Sequence, residues 1–449
     1  MAIPELPTGK ESVGDRLRNV SQNFFLHIHN SKISVETIYP TATMGLGVIL
    51  TTLFAVQLIT GMLLMAHYTP SVDAAYLSVK EIIFYIPGGR VFRNIHRWSS
   101  HAMVFITFLH LFRTFYKGCY YGIRRTNWAI GVIMLLVVMM MSFSGYLLPW
   151  DQLAFWAVTI GSNIAASFRE FTDLIGITVY IDPGGFFRRV LLGGLEVGQA
   201  TLTRFFTLHV IILPFSLLVL MGYHFWNIRK DGGLARPVSA PGISSEEIPA
   251  WPTALWAEVA ILLSVVAILL IVGTLADAPL KILANPNLPE NPAKSPWYLL
   301  GIQEIVSYSA FMGGFVIPLI FIVFLFYLPW FDQMDEVHQG RWFSGKSGVK
   351  ITWLSTLIGG SITIFLVMLS LIIRVPGHPG SSLSILLTMI LNPGTLAVIF
   401  YFFWTFLVWR FTSSRRMTVL ALFTTFMTGW TIFMIIGIWF RGVNWQFIL

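Results

Sequence analysis

Four histidines in two apolar segments of this chain are spaced so that they could ligate metal cofactors. His96 and His110 are 14 residues apart, and His209 and His224 are 15 residues apart. At about 100° and about 1.5 Å per residue, each pair returns to nearly the same helix face about 21 Å further along. Two facing helices would therefore present two His–His pairs at different depths. Because imidazole is a good axial ligand for haem iron, this spacing predicts two bis-histidine haems.

The histidines have a simpler explanation that must be weighed against haem ligation. A lone histidine in a soluble core is usually only a hydrogen-bonded core residue. Inside a bilayer, however, an ionisable side chain is costly and is usually functional. Four such residues in matched pairs therefore favour haem ligation.

Two pairs of glycines repeat the 14-residue histidine spacing. Gly47 and Gly61 lie in the first apolar segment, and Gly131 and Gly145 lie in the third. A flat macrocycle between helices needs places where no side chain protrudes, and glycine supplies them. Membrane helices also use glycine for close packing, so the repeated spacing, rather than any single glycine, predicts haem contacts.

Two arginines flank the first histidine pair. Arg93 lies three residues before His96, and Arg113 lies three residues after His110. Arginine forms bidentate, charge-assisted hydrogen bonds with carboxylates, so both residues are candidates to bind haem propionates. The alternative is that their side chains simply extend to the membrane interface.

The composition is that of an integral membrane protein. The chain is 55% hydrophobic and 11% charged, with a mean hydropathy of +0.72, which excludes an ordinary soluble domain. We therefore predict an all-α fold, a polytopic transmembrane helical bundle of about eight to nine spans with a four-helix dihaem-binding N-terminal half. The candidate spans are 41–66, 96–116, 128–149, 205–227, 252–275, 311–330, 351–373, 386–409 and 418–440. The eighth is interrupted near its start by Pro393 and Gly394.

The distribution of basic residues among the loops predicts how the chain is oriented in the membrane. The net charge of +8 would suggest nucleic acid in a soluble protein, but here we assign it to loops flanking the spans and expect no nucleic-acid binding. By the positive-inside rule, the N-terminus is cytoplasmic. We place the chain in the inner membrane of a bacterium as a separate expectation. The polar start of the chain predicts no cleavable signal peptide. The basic loops read "KGCYYGIRRTN", "RKDGGLARP", "GRWFSGKSGVK" and "RFTSSRR".

The spans and polar stretches divide the chain into four parts. Residues 1–40 are an N-terminal segment in which 12–30 predict an amphipathic helix at the interface with membrane lipid. The other parts are a dihaem half (41–230), a cytoplasmic linker (231–251) and a C-terminal transmembrane half (252–449). Two long outer connections, 150–203 and 276–310, are candidates to cover a site.

Cysteine content limits the cofactors that this chain can hold by itself. Cys119 is the single cysteine, and no CxxCH motif is present. The sequence therefore excludes an internal disulfide, a four-cysteine iron–sulfur site and a conventional c-type haem attachment. We expect the two haems to be non-covalent and b-type.

Long motifs in the first half carry a family resemblance. The segments "QLITGMLLMAHYTP", "RNIH…FLHLFR", "SFSGYLLPWDQLAFWAV" and "VGQATLTRFFTLH" resemble cytochrome b of the quinol-oxidising cytochrome bc and bf complexes. The resemblance implies that His96 and His209 ligate a low-potential haem near the outer side. It also implies that His110 and His224 ligate a high-potential haem near the cytoplasmic side.

Some features resemble the chloroplast-type subfamily, although this chain is a fused form with more spans. These features are the 15-residue spacing of the second histidine pair, "LPWDQ" and "IRKDG". That subfamily also holds an additional haem covalently through a cysteine near the first span. The corresponding stretch here, "TATMGLGV", has no cysteine, so we predict no such haem.

The resemblance implies an outer quinol site, with one departure from the family pattern. The family motif P-E-W-Y, whose glutamate is thought to accept a quinol proton, is replaced here by Ser295, Pro296, Trp297 and Tyr298. We hypothesise that Glu304 replaces that glutamate and that Tyr298 positions the quinol, although an ordinary interfacial glutamate is almost as good an explanation. The predicted wall of this site comprises Gly145, Tyr146, Pro149, Trp150, Phe155 and Trp156.

The inner quinone site is less distinct. Arg229, five residues after His224, matches a position that the family uses near this site, and Lys230 and Asp231 could supply protons. A positive-inside flank explains the two basic residues equally well.

Together these features predict a quinol–cytochrome c reductase subunit that oxidises quinol outside and reduces quinone inside, with proton translocation. The resemblance implies that one electron goes to a Rieske iron–sulfur protein and the other passes through the two haems. The Rieske protein and a c-type cytochrome must be separate chains, and family members are typically homodimers. Two alternatives remain open: a dihaem membrane anchor of another quinone-linked oxidoreductase, and a proton-coupled transporter.

Overall fold

The computed structural model of this chain describes residues 32–37, 39–235, 246–334, 338–372 and 381–448. Within these ranges the fold is all-α, with one two-stranded sheet, as the sequence predicts. We number the long helices in chain order as α1 (Leu46–Met65), α2 (Gly89–Tyr116), α3 (Arg125–Leu147), α4 (Gln199–Lys230), α5 (Thr253–Leu275), α6 (Met312–Phe331), α7 (Lys346–Ile372), α8 (Pro393–Thr412) and α9 (Arg415–Trp439).

Eight of these helices are long and apolar enough to cross a membrane, and α2 is the exception. With 28 residues, α2 is about 42 Å long, more than the roughly 30 Å of a bilayer core. Its hydropathy is lowered by arginines, serines and histidines, including Arg93, His96 and Arg97. The least apolar long helix is therefore the one that carries a predicted ligand pair.

The eighth predicted span, 386–409, is wrong in its position. The structure divides that stretch into a short helix, Ser382–Leu391, and α8. Asn392 separates them because its side chain accepts a hydrogen bond from the Thr395 backbone N–H at 2.9 Å, which caps the N-terminus of α8. Pro393 occupies the first turn of α8, where its missing N–H costs nothing.

Two long helices contain a π-helical turn. In α4 this turn covers Leu208–Ile212 and includes His209, and in α6 it covers Met312–Val316. A proline follows each turn, at Pro214 and Pro318, and proline cannot donate the usual backbone hydrogen bond. The local widening of α4 therefore coincides with a predicted ligand.

The long helices form two groups, and helices of the second group also contact helices of the first. In the first half α1 packs on α2, α2 on α3, and α3 on α4; in the second half α7, α8 and α9 pack on one another. The first helix of the second half, α5, packs against α1 and α2, and α6 packs against α3. Of the eight apolar helices, α9 is the most buried and α5 the least. The division into halves at 231–251 stays a prediction.

The two predicted outer connections contain short helices. The first connection carries three of them and the second carries two. Their bounds are Gln152–Ala166, Phe168–Leu174, Pro183–Leu192, Trp297–Leu299 and Leu300–Val306. The other short helices are Val35–Thr37, Pro40–Thr43, Ala75–Phe84, Gly122–Arg124, Trp342–Ser344 and Val443–Trp445.

The sheet joins the segments that precede α1 and α5. Strand β1 (Lys32–Ser34) pairs antiparallel with β2 (Glu247–Pro249), with Ile33 opposite Ile248. The predicted amphipathic helix at 12–30 lies outside the described residues, as do residues 236–245 of the predicted linker.

Candidate functional site

The four histidines come together as two pairs between α2 and α4. The ring centroids of His96 and His209 are 6.2 Å apart with an interplanar angle of 80°, and those of His110 and His224 are 6.5 Å apart at 73°. The first histidine of α2 faces the first of α4, so the two helices run in the same direction. The pairs therefore lie in two layers along the bundle.

The ring separations fit an ion between each pair. Two metal–imidazole bonds of about 2 Å each, added to the half-widths of the two rings, give a centroid separation of about 6 Å. The observed separations of 6.2 and 6.5 Å match this value. Each pair could therefore hold a single haem iron between its two rings.

Hydrogen bonds orient the rings of the first pair. Nδ1 of His209 lies 3.0 Å from the carbonyl oxygen of Met141, which only accepts, so this nitrogen carries the proton. Nδ1 of His96 lies 2.9 Å from Oγ1 of Thr60, whose hydroxyl donates to the carbonyl of Val56 at 2.6 Å. In both rings the Nε2 lone pair remains available for a metal, the usual role of such outer hydrogen bonds.

Three of the four predicted glycines face histidine rings. A Cβ placed on Gly145 would lie 2.4 Å from Cε1 of His209, and one on Gly61 would lie 3.3 Å from Cε1 of His96. A Cβ on Gly131 would lie 3.9 Å from Cε1 of His224, whereas one on Gly47 would meet no described atom within 4 Å. At Gly145 above all, any larger residue would occupy the space that the imidazole needs.

A cavity of about 290 Å³ lies beside the first histidine pair. Helices α1, α2, α3 and α4 all contribute to its lining, which is mostly apolar. Because both histidines of the pair and two of the predicted glycines line it, this cavity is the space in which a haem held by His96 and His209 would lie. The predicted site residues that line it are Gly61, Arg93, His96, Gly145, Tyr146, Pro149 and His209.

The two arginines that are predicted to bind haem propionates donate hydrogen bonds to backbone carbonyl oxygens. Arg93 donates to the carbonyl oxygens of Ala278 at 2.7 Å and Pro279 at 2.8 Å. Arg113 donates twice to the carbonyl oxygen of Ala42, at 3.1 and 2.7 Å. Both side chains therefore fix connecting segments, and their pairing with propionates stays a prediction.

The sequence analysis missed Arg97. Its guanidinium lies over the Tyr146 ring, 4.6 Å from the centroid, and both residues line the cavity. Its Nε is buried and has no hydrogen-bond partner among the described residues. Its position directly after His96 in the sequence could have identified Arg97 as a candidate site residue. The arrangement provides a cation for an anionic group in the cavity.

Three residues of the predicted aromatic wall lie outside this cavity, and their part in a quinol site stays a prediction. Trp150 and Phe155 are buried in an apolar cluster with Ala75 and Leu147, and Trp156 packs against that cluster. None of the three aromatic residues lines the cavity. The backbone at Trp150 has a φ of 51°, in the left-handed region, and this turn directs the chain away from α3.

The Pro296–Tyr298 segment contacts the cavity through one residue of α3. The hydroxyl of Tyr298 is hydrogen-bonded to Oγ of Ser142, which lines the cavity. Trp297 donates from Nε1 to Nδ1 of His101 at 3.0 Å. Neither Trp297 nor Tyr298 lines the cavity itself, so Tyr298 acts on its contents only through Ser142.

Glu304 is enclosed in a buried ion pair, and the hypothesis that it accepts a quinol proton stays a prediction. Its side chain is 0% exposed and forms a bidentate ion pair with Arg441. It also accepts from the Tyr308 hydroxyl at 2.8 Å and from Trp445 Nε1 at 2.9 Å. Because four donor groups surround its two oxygens and it is absent from the cavity lining, Glu304 has a structural role.

The predicted inner-site residues end helix α4. Arg229 and Lys230 form its last turn, and Asp231 follows directly. Arg124 donates to the carbonyl oxygen of Asp231 at 3.0 Å, and burial raises the pKa of the Asp231 carboxyl. A carboxyl with a raised pKa exchanges protons closer to neutral pH, which suits a proton donor. The inner site itself stays a prediction.

Comparisons with known proteins agree with this arrangement. A family model described as Cytochrome b/b6/petB matches residues 31–232. Cytochrome b6 of Prochlorococcus marinus (strain AS9601) is 38% identical over 187 residues, which cover 42% of this chain and 80% of that protein. Cytochrome b6 of Synechococcus elongatus (strain ATCC 33912) is 39% identical over 187 residues, with 42% and 81% covered.

A solved structure extends the similarity of fold beyond the first half. A chain of a hyperthermophilic respiratory Complex III superimposes with a TM-score of 0.64 and 24% sequence identity. The match covers 86% of this chain and 94% of that chain. The second group of helices is therefore part of a known membrane fold.

Proposed function

Since this chain belongs to the cytochrome b/b6 family, for which b-type haem is the characteristic cofactor, we propose that it is the dihaem subunit of a quinol-oxidising membrane complex. The proposed reaction is quinol oxidation at the end of the bundle near the Pro296–Tyr298 segment and quinone reduction at the opposite end. The electron acceptor outside this chain is cytochrome c or a related protein.

The observation that carries this proposal is the pair of His–His contacts in two layers, with centroid separations of 6.2 and 6.5 Å. His96 and His209 would hold one haem, and His110 and His224 the other. When bound, the two haems would supply one-electron iron chemistry that connects the two ends of the bundle. Gly61, Gly145 and Gly131 leave the imidazole rings free of side chains.

The other residues of the cavity would enclose the first haem and provide charge. The apolar lining would surround the macrocycle and exclude water. Arg97 places a cation beside the Tyr146 ring, where it would pair with a haem propionate. Tyr298 fixes the Ser142 hydroxyl at the wall.

The proposed reaction needs partner chains. A single cysteine, Cys119, cannot hold an iron–sulfur cluster, so a Rieske iron–sulfur protein takes the first electron in this proposal. A c-type cytochrome subunit passes it on, and the assembled complex is a homodimer. The proposed location is the inner membrane of a bacterium with the N-terminus in the cytoplasm, so that quinol oxidation releases protons outside.

A redox-titrated visible difference spectrum of the purified protein tests this proposal. We expect two b-type components with separate midpoint potentials. One component would mean that one His–His pair is misassigned, and a fully assembled protein without haem would overturn the proposal.

Inhibition separates the proposal from a dihaem membrane anchor. An inhibitor of the outer quinol site should block turnover of the assembled complex in the proposed function. A simple anchor would keep both haems and would be insensitive to that inhibitor. A proton-coupled transporter would be colourless.

A further inference from the structure

The nine long helices hold five histidines, and His101 in α2 is the one that belongs to neither His–His pair. It lies five residues after His96. At about 100° per residue its side chain points about 140° away from that of His96, so it faces away from the two predicted haem layers. An ionisable side chain inside a bilayer is costly and is usually functional, so His101 calls for an explanation.

Two tryptophans hold the ring of His101. Trp297 donates from Nε1 to Nδ1 of His101 at 3.0 Å, and the Trp98 ring lies beside it with centroids 5.8 Å apart. Because an indole N–H only donates, Nδ1 carries no proton, and a neutral ring therefore carries its proton on Nε2. Among the described residues no hydrogen bond reaches Nε2. His101 thus presents an N–H donor without an acceptor.

The packing of α5 on α2 shows how deep this donor lies. The C-terminal end of α5 meets the start of α2, since a Cβ on Gly273 would lie 2.5 Å from Cγ1 of Ile95. There, Trp98 also donates from Nε1 to the carbonyl oxygen of Ala276 at 2.8 Å. His101, six residues after Ile95, lies about 9 Å further along, beside the apolar interior of α5. At this depth the bilayer offers no water to accept the hydrogen bond.

The surface next to His101 is apolar and open to lipid. His101 is half-buried, and Phe105, one turn further along the same face of α2, is 52% exposed. The neighbouring helix α5 is the least buried of the eight apolar helices. A ligand of His101 must therefore dissolve in the bilayer, carry a hydrogen-bond acceptor and fit beside an aromatic ring. A quinone, with its apolar tail, flat ring and two ring oxygens, meets all three conditions.

We propose that His101 forms a quinone-binding site on the lipid-facing side of α2, separate from the site of oxidation. Nε2–H donates a hydrogen bond to a ring oxygen of the quinol or quinone, and the Phe105 ring packs against its ring. This inference rests on the proposed function, which makes quinol the substrate. Trp297 joins the site to Tyr298, the next residue along the chain, near which the quinol is oxidised in that proposal. His101 is thus a positioning residue that holds quinol before oxidation.

Photolabelling of the purified complex in phospholipid vesicles tests whether a quinone binds here. The probe is a quinone that carries an azide on its ring, and labelled peptides are identified by mass spectrometry. We expect label on residues 98–105 that excess unlabelled quinone displaces and that added phospholipid or an inhibitor of the outer site does not. Phe403 in α8 is the control position, because it is 53% exposed, as Phe105 is, and reports labelling from the lipid alone.

His101→Leu tests whether the quinone bound here is the substrate. Because one hydrogen bond to a neutral ligand is lost, we expect the KM for quinol to rise roughly three- to ten-fold. The value of kcat and both haem signals should be retained, and the label on residues 98–105 should be lost. His101→Gln, whose amide both donates and accepts, should restore most of the KM and of the label.

Ser264→Ala in α5 is the matched control for the kinetic measurement. Its hydroxyl is exposed but donates to the carbonyl oxygen of Ala260 in its own helix at 2.7 Å. Its loss should leave the KM for quinol and the label unchanged.

Labelling of residues 98–105 no stronger than that of Phe403, or label that excess quinone does not displace, would overturn the site. Displaceable label with an unchanged KM in His101→Leu would overturn its role in holding the substrate. If that variant does not assemble, labelling of the unaltered complex decides. Displaceable label in a complex without inhibitor-sensitive quinol oxidation would overturn the proposed function and leave the site intact.

Discussion

Arg441 holds the carboxylate of Glu304 from 137 positions further along the chain, with hydrogen bonds of 2.6 and 3.0 Å. Glu304 lies in the helix Leu300–Val306, which begins two residues after Tyr298, and Arg441 follows α9. The ion pair therefore joins the C-terminal segment to the segment that contacts the cavity through Ser142. This contact gives the last helices a role in supporting the segment that contains Tyr298.

Breaking this ion pair should lower stability more than it alters proton transfer. Removing one partner of a buried pair typically costs about 3–5 kcal/mol, so Arg441→Met should lower the melting temperature markedly. Glu304→Gln should destabilise the protein less, because the amide still accepts hydrogen bonds. Thermal unfolding followed by haem absorbance measures both changes.

The pH profile of quinol oxidation in Glu304→Gln distinguishes support from catalysis. We expect the profile to be unchanged in the folded protein. A changed profile with unchanged stability would give Glu304 a role in proton transfer.

Gly145→Val should remove one haem and leave the other. Its Cβ would lie 2.4 Å from Cε1 of His209, so the imidazole would have to move away from its partner. The difference spectrum should then show a single b-type component. Gly360→Val is the control in α7, because a Cβ there would meet its nearest neighbour, Thr428, at 3.5 Å, and it should retain both components.

Thr60→Val should change one midpoint potential without loss of haem. The substitution removes the acceptor for Nδ1 of His96, and such outer hydrogen bonds increase the donor strength of the imidazole. A weaker donor stabilises ferric iron less, so we expect one component to move upward by tens of millivolts. Thr107→Val removes a hydroxyl that donates to the Met103 carbonyl and should shift neither component.

A second buried ion pair lies at the His110 end of the bundle. Nη1 of Arg416 in α9 donates to Oδ2 of Asp332 at 2.8 Å, and the hydroxyl of Tyr120 donates to the same oxygen at 2.5 Å. Arg416→Met leaves a buried carboxylate without its cation, at a typical cost of about 3–5 kcal/mol. We expect reduced yield and a lower melting temperature.

The double replacement Arg416→Met with Asp332→Leu controls for the loss of the charge pair itself. Because both charges are then absent, we expect it to melt closer to the unaltered chain than Arg416→Met does. A double variant as unstable as the single one would show that packing around Arg416, and not the charge, is what matters.

Helical periodicity and residue type made the first half of this protein predictable from its sequence. The positions of His96, His110, His209 and His224 follow from a local rule, since residues 14 or 15 apart share a face of any helix. The glycines follow from the same rule, as does the number of spans, which depends only on the length of the apolar runs. Which residues share a face of one helix does not depend on the helices that pack against it.

The tertiary structure decided which polar side chains are free to do chemistry. Glu304 and Glu290 lie in the same connecting region of the sequence, and nothing in their local pattern distinguishes a paired carboxylate from an available one. The partner of Glu304, Arg441, lies in the C-terminal segment, whereas Glu290 meets Lys281 beside the cavity and keeps one oxygen unpaired. The sequence by itself determined the positions of the four histidines along their helices, and only the packing of distant segments decided which charges neutralise one another.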